Sequence, residues 1–276
     1  MAGGRQAVGF RRVVLAALLV GVAWGAAGCD PFSFSPHQVR FSESERDLTR
    51  KNLERIRGLP QEETFKIAVF GDTQGRMTET EDGVEALDER DDVSFAIQVG
   101  DLTDFGFTKE FRWTQRLLAE IDVPVLTVIG NHDHLGNGSE LYEAMYGPLN
   151  HSFFFGRTKF VFLDDNSREH GFDGTVPDLG WLRRELPDDG SYDRAVVVSH
   201  VPPTDPDFDP ALKDGFVEAL RRGGAVLSLH GHVHDFSDDI PFDDGVRYVT
   251  ADGMEGRNFL VVTIGPGRVE VEQVFF

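Results

Sequence analysis

From Thr64 onward the chain alternates short apolar runs with amphipathic stretches. Phe65–Phe70, Val93–Val99, Val123–Ile129, Lys159–Leu163, Ala195–Ser199 and Ala225–Leu229 are short and nearly continuously apolar, and read as strands covered on both faces. Between them, Glu81–Glu89, Thr108–Ile121, Glu140–Tyr146, Asp178–Leu186 and Pro210–Arg221 read as helices. The tail changes character. Gly245–Thr250, Asn258–Ile264 and Arg268–Phe276 read as consecutive antiparallel strands joined by turns such as Gly265-Pro266-Gly267. A β-α alternation followed by a meander predicts an α/β layered domain with two sheets. The sequence shows no internal repeat and no low-complexity segment.

The first 63 residues follow other patterns. Ser42–Arg57 is polar, with Leu48, Leu53 and Ile56 at helical spacing, and predicts a helix lying on the domain and ended by Gly58 and Pro60. Residues 30–41 read as an irregular tether. Before them, Arg5, Arg11 and Arg12 precede the apolar run Val13–Ala23, and the small residues Ala26-Ala27-Gly28 precede Cys29. These are the three regions of a secretory signal. The apolar run is too short to cross ~30 Å of hydrocarbon, which takes about 20 residues. Ala26-Ala27-Gly28-Cys29 resembles a bacterial lipobox, with Ala26 where Leu is usual, and Cys29 is the only cysteine. The expected organisation is a lipoprotein signal peptide at 1–28, tether and helix at 29–63, and the main domain at 64–276. The expected location is outside the cytoplasm, on a membrane through lipidated Cys29, facing the periplasm or the cell exterior. With one cysteine, internal disulfides are excluded.

Charge narrows the partners. The chain carries −20, and residues 1–28 hold three Arg and no acid, so their removal leaves −23. Such a surface repels polyanions, and nucleic acid is not expected as a partner. A phosphate substrate stays compatible, because bound metal ions invert the local field of a site.

The candidate chemistry shares one location, the carboxyl end of a predicted strand, where loops of α/β sheets converge on a ligand crevice. Gly71-Asp72-Thr73-Gln74 follows the first strand, Gly100-Asp101-Leu102-Thr103-Asp104 the second, and Gly130-Asn131-His132-Asp133 the third. His200 closes Ala195–Ser199, and His230-Gly231-His232-Val233-His234 closes Ala225–Leu229. Asp, Asn and His suit hard-to-borderline divalent ions such as Mn, Fe or Zn. Alternation in extended chain lets Asp72 and Gln74 face one ion, and likewise His232 and His234. That is too many donors for one ion and about enough for two.

The ordered set resembles the metallophosphoesterase (calcineurin-like) family, whose pattern runs Gly-Asp-x-His, Gly-Asp-x-x-Asp, Gly-Asn-His-Asp/Glu, a lone His, then Gly-His-x-His. The likeness spans roughly residues 64–264, and Asn150–Gly156, Lys159–Asp164 and Leu179–Leu182 look like the family's connecting segments. It implies a four-layer αββα sandwich of two mixed sheets flanked by helices, and a metal-dependent phosphoric ester hydrolase. It further implies two divalent ions (Mn, Fe or Zn), with Asp72, Asp101 and His234 on the first and Asp101, Asn131, His200 and His232 on the second. Asp101 would bridge them, and a bridging hydroxide would attack a small phosphate ester in line. His132 would be the general acid, its ring hydrogen-bonded by Asp104.

One position departs from the pattern. Gln74 stands where the family usually has a histidine ligand, and a neutral amide oxygen is the weaker donor. Gly130–Asn137 also resembles purple acid phosphatases, but those place a Tyr three residues after the bridging Asp, where this chain has Asp104. No tyrosinate-to-iron colour is expected. His134 and His230 lie near the site with substrate contact or outer-shell hydrogen bonding both open. The alternatives are a phosphodiesterase acting on cyclic nucleotides, glycerophosphodiesters or lipid headgroups, and a catalytically inactive binding module of the same fold.

Overall fold

The first core strand shows how the layers arise. In β1 (Phe65–Phe70) the side chains of Phe65, Ile67 and Val69 enter one apolar cluster while Ala68 and Phe70 enter another, as the two-residue period of a strand requires. Both faces of the strand are therefore buried, which is why it reads as an unbroken apolar run. The computed structural model describes residues 35–276. The chain divides into two units, Met1–Gln38 and Val39–Phe276, and every element below belongs to the second. The expected signal peptide and Cys29 lie outside the described residues. Among the described residues no helix is long and apolar enough to cross a membrane.

Two mixed sheets face each other. The first has β1 paired in parallel with β2 (Phe95–Gln98), and β2 in parallel with β3 (Val125–Thr127). On its other side β10 (Asn258–Gly265) runs antiparallel to β1 and to β11 (Arg268–Phe275). The second sheet is ordered β4 (His151–Phe155), β5 (Thr158–Phe162), β6 (Arg194–Val198), β7 (Ala225–His230), β9 (Arg247–Thr250), β8 (Ser237–Asp239). The inner core lies between the sheets and is rich in Phe: Phe95 packs on Phe155 at 5.4 Å and on Phe160 at 5.3 Å, both edge-on. Phe95 is fully buried, so Phe95→Ala should cost ~3–5 kcal/mol in chemical denaturation.

Helices close the outer faces. Over the first sheet lie α2 (Met77–Asp88), α3 (Thr108–Leu118) and α4 (Gly138–Met145), which contribute Val84, Leu87, Phe111, Leu141 and Met145. Over the second lie α5 (Leu179–Glu185) and α6 (Lys213–Arg222), through Leu182, Phe216 and Leu220. The result is the αββα order of layers. The N-terminal helix α1 (Leu48–Arg57) puts Ile56 into the inner core and donates from Asn52 Nδ2 to the Val125 carbonyl at 2.7 Å. It starts later than Ser42 because Ser42 and Glu45 form a capping box around a separate 3₁₀ turn.

The tail needs correcting. Residues 245–250 do not open a meander with β10: β9 runs parallel to β7 and antiparallel to β8 in the second sheet, while β10 and β11 form an antiparallel hairpin in the first. Local turn signals are the same for both arrangements; which sheet receives a strand depends on which face it can bury. Residues 150–156, read as connecting chain, hold the edge strand β4, antiparallel to β5.

Candidate metal centre

β1, β2 and β3 are parallel neighbours in one sheet, and β5, β6 and β7 in the other. Their carboxyl ends bring Asp72, Asp101, Asn131, His200, His232 and His234 together at the rim where the two sheets meet. Eight non-glycine residues among those described take positive φ, and four of them are Asp72, Asp101, His232 and His234. Left-handed backbone costs of order 1–3 kcal/mol at such residues, so the strain is concentrated where these side chains are aimed. The glycines before the candidates have a matching cause. A Cβ on Gly130 would collide with the Asp101 backbone, and one on Gly231 would lie 2.6 Å from Asp72 Oδ2.

Asp101 is central. Its Oδ1 accepts the His132 amide at 2.9 Å, and its Oδ2 lies 3.1 Å from Gln74 Nε2 and 3.3 Å from His200 Nε2. Asn131 Oδ1 accepts from His200 Nε2 at 3.1 Å and from His232 Nδ1 at 2.9 Å. On the other side, Asp72 Oδ1 lies 3.3 Å from His234 Nε2, and both Asp72 oxygens meet the His232 amide. Gln74 Nε2 is 3.2 Å from His234 Nε2, and Gln74 Oε1 is buried without a partner.

The electrostatics match a cation site. Burial raises the Asp72 carboxyl above its usual range. Burial also pushes Asp101 up, but the charge and hydrogen bond of His200 outweigh it and hold Asp101 below its usual range. Burial disfavours a charged His200, yet Asp101 and Asp72 lift the ring to about 10. The hydrogen bond to Asp72 raises His234 to about 9, while burial and the neighbouring His200 lower His232. Two buried carboxylates thus draw protons onto the rings around them. Ions at this place would supply the same positive charge and give the orphaned Gln74 oxygen a partner. The donors present therefore fit divalent ions.

Outer contacts fix which nitrogen faces inward. His200 Nδ1 donates to the Val99 carbonyl at 2.8 Å, leaving Nε2 toward Asp101. His234 Nδ1 meets Glu255 Oε1 at 2.6 Å, leaving Nε2 toward Asp72. His232 turns Nδ1 inward, and its Nε2 lies 3.6 Å from Asp205 and 3.5 Å from Asp207. Asp133 braces the rim by accepting from the Gly130, Leu102 and Thr103 amides, and burial pushes its carboxyl up to about 6. Asp165 receives the His200 and Val201 amides and is raised by burial to about 7.

Two expectations change. His132 Nδ1 donates at 3.0 Å to the main-chain carbonyl of Asp104, where a bond from the Asp104 carboxylate was expected. The chain bends at Asp104-Phe105, and the Asp104 carbonyl faces the ring. His230 is a core histidine: it bonds Ser199 and Ser228, stacks on Tyr248, and burial lowers it to about 3, so it is neutral. His134 sits apart from the candidate ligands, against Asp164 and His170.

Glu255, Asp165, Asp205 and Asp207 were missed. Asp164-Asp165 does follow a predicted strand, so the strand-end rule covers it. Glu255 lies in a 3₁₀ turn, Met254–Gly256, with no such signal.

Comparison with known proteins agrees with this geometry. The family model described as calcineurin-like phosphoesterase matches residues 65–236. The chain belongs to that family of metal-dependent phosphoester hydrolases. No curated protein matches the sequence significantly. Among solved structures, a purple acid phosphatase from yellow lupin (Lupinus luteus) seeds is similar with a TM-score of 0.59 and 14% identity, over 78% of this chain and 52% of that one. GAP50, the anchor in the inner membrane complex of Plasmodium, is similar at 0.58 and 13%, over 78% and 85%. PhoD is similar at 0.57 and 9%, over 76% and 68%. At such identities these likenesses are of fold.

Proposed function

We propose that the centre binds two divalent ions and hydrolyses a small phosphate ester, with His132 as general acid. Asp72, Gln74, Asp101 and His234 would hold one ion, and Asp101, Asn131, His200 and His232 the other. The observation that carries this reading is the place of Asp101, whose Oδ2 lies 3.1 Å from Gln74 Nε2 and 3.3 Å from His200 Nε2 and so reaches both groups. When bound, such ions supply Lewis-acid stabilisation of the phosphoryl charge and make water a stronger nucleophile.

The chain's own residues do the rest. Because His132 Nδ1 donates to a carbonyl, Nδ1 keeps its hydrogen and Nε2 is the nitrogen that exchanges a proton. Water gives up one proton to solvent as its oxygen bonds to phosphorus and the ester P–O bond breaks; Nε2–H passes its proton to the leaving oxygen, and the ring regains one from solvent. The Asp104 carbonyl holds the ring through that transfer. Asp205, beside His232, brings negative charge to the same rim, while Asp207 next to it is paired with Arg168 at 2.8 Å. The Asp205 charge favours a singly charged phosphodiester over a doubly charged monoester.

The test is hydrolysis of bis-p-nitrophenyl phosphate beside p-nitrophenyl phosphate with added Mn. Activity on the diester that exceeds that on the monoester, and is lost in Asp101→Ala, supports the reading. Activity that survives Asp101→Ala overturns the site. Inactivity of the metal-loaded protein on both esters would favour a binding module.

We also propose that the protein is exported and anchored by a lipid on Cys29. Support comes from the basic start, the apolar run Val13–Ala23 and the small residues before Cys29. Cys29→Ser should move the protein from the membrane to the soluble fraction; unchanged partition contradicts the anchor.

A further inference from the structure

A second group of ligand-type side chains lies beside this centre and shares none of its residues. Asp164, which follows β5, is flanked by His134 and by His170 at the end of the 3₁₀ turn Ser167–His170. His134 Nε2 lies 3.3 Å from Asp164 Oδ1 and 3.2 Å from Oδ2; His170 Nε2 lies 3.7 Å from Oδ2. The two rings stand at 82°, with centroids 5.4 Å apart. The three donor atoms fall within 4.8 Å of one another.

These spacings are longer than the shortest histidine–carboxylate contact in the same protein, and overlap looser ion pairs such as Arg50–Asp47 at 3.5 Å and Arg76–Glu255 at 3.7 Å. His234 makes the comparison within one side chain. Its Nδ1 meets Glu255 at 2.6 Å, a direct charge-assisted bond, while its Nε2, the nitrogen assigned to a metal, stays 3.3 Å from Asp72. His200 Nε2 and Asp101 Oδ2, also assigned to a metal, are 3.3 Å apart. Donors ~2.0–2.1 Å from a tetrahedral ion lie ~3.3–3.4 Å from each other. The His134 contacts to Asp164 at 3.2 and 3.3 Å fall close to that separation, and the His170 contact at 3.7 Å is longer.

The surroundings are also those of a metal site. Asn166 donates to Asp164 Oδ1 from its amide at 3.0 Å and its Nδ2 at 2.8 Å, which fixes the carboxylate and leaves Oδ2 nearer the rings. Ser139 Oγ lies 2.8 Å from His134 Nδ1 and orients that ring from behind. His134 and Asp164 are 6% and 5% exposed, whereas His170 is 36% exposed, so the group opens to solvent on the His170 side. We propose that His134, Asp164 and His170 bind a further divalent ion of the zinc type, through two imidazoles and one carboxylate with a position open to water.

The spacing comparison rests on the ligand reading of the main centre, and counting ions separates the two. The full chain is dialysed against Zn²⁺, then against metal-free buffer, and its metal content is measured by plasma mass spectrometry, with far-UV circular dichroism to show that each variant is folded. Replacing both histidines (His134→Gln with His170→Gln) should lower the content by about one ion per chain, whatever the total. Asp101→Ala should keep about one ion, and lose it when the two histidine changes are added. With Co²⁺ in place of Zn²⁺, the visible absorption of Asp101→Ala should vanish in that combined variant. An unchanged count in the folded double variant overturns the proposal, as does a folded Asp101→Ala protein with no ion. Loss of activity on phosphate esters with the one-ion difference intact would instead count against the proposed hydrolase centre.

Discussion

The two halves of the candidate metal centre are built differently. In the half of Asn131, His200 and His232, His200 is fully buried, its Nδ1 is held by a main-chain carbonyl, and Asn131 Oδ1 already meets two rings. In the half of Asp72, Gln74 and His234, the His234 side chain is 33% exposed and is oriented by the equally exposed Glu255, and the Gln74 oxygen has no partner. A main-chain acceptor on β2's end moves only with the sheet; an exposed carboxylate is screened and mobile. The difference teaches that the two ions should not be held equally. The Gln74 half should be the weaker, both because an amide oxygen replaces imidazole and because its orienting partner stands at the surface.

Asp101 belongs to both halves, so Asp101→Ala erases the contrast. It should remove both ions and reduce kcat/KM on the better ester at least ~10³-fold, as read by metal content and steady-state kinetics. Glu255→Gln should act on one half only. It weakens the ion at Asp72 and His234 by ~10–100-fold and leaves the other, as read by calorimetric titration. Gln74→His sharpens the comparison in the opposite direction, tightening that same ion and narrowing the gap between the two affinities.

Acidity should also separate the halves from the surrounding fold. Without metal, His234 and His200 hold protons up to about 9 and about 10, so ions must displace protons at neutral pH. Metal loading should therefore release protons, seen as a dependence of the binding enthalpy on the buffer, and affinity should rise with pH. The metal-free protein behaves oppositely. His200 is raised above its ordinary 6.5, so its pairing with Asp101 stabilises the fold fully below that value and is lost as pH rises through about 10. Denaturation midpoints of the metal-free protein should fall over that range, and loading with Mn²⁺ should flatten the fall.

The same contrast explains what the sequence disclosed. The residues proposed as ligands in both halves stood out because each motif follows a short apolar run, and β1 itself runs Phe65–Phe70 as the pattern predicts. Runs buried on both faces pointed to a layered α/β domain with two sheets, and the family resemblance implied the αββα order. What orients the ligands was less legible. Val99 acts through a carbonyl, which side-chain chemistry does not announce, and Glu255 reaches His234 across 21 positions from a turn. The placement of β9 beside β7 was hidden for a related reason, since local alternation does not say which sheet will accept a strand.

The central claim is a two-ion centre with unequal halves sharing Asp101. It is tested most directly by calorimetric titration of the metal-free protein with Mn²⁺, beside Glu255→Gln and a chain lacking the His134 and His170 imidazoles. The account predicts two separable affinities that persist without those imidazoles, the weaker alone shifting in Glu255→Gln. A single class of site, or an equal loss of both affinities in Glu255→Gln, would contradict it.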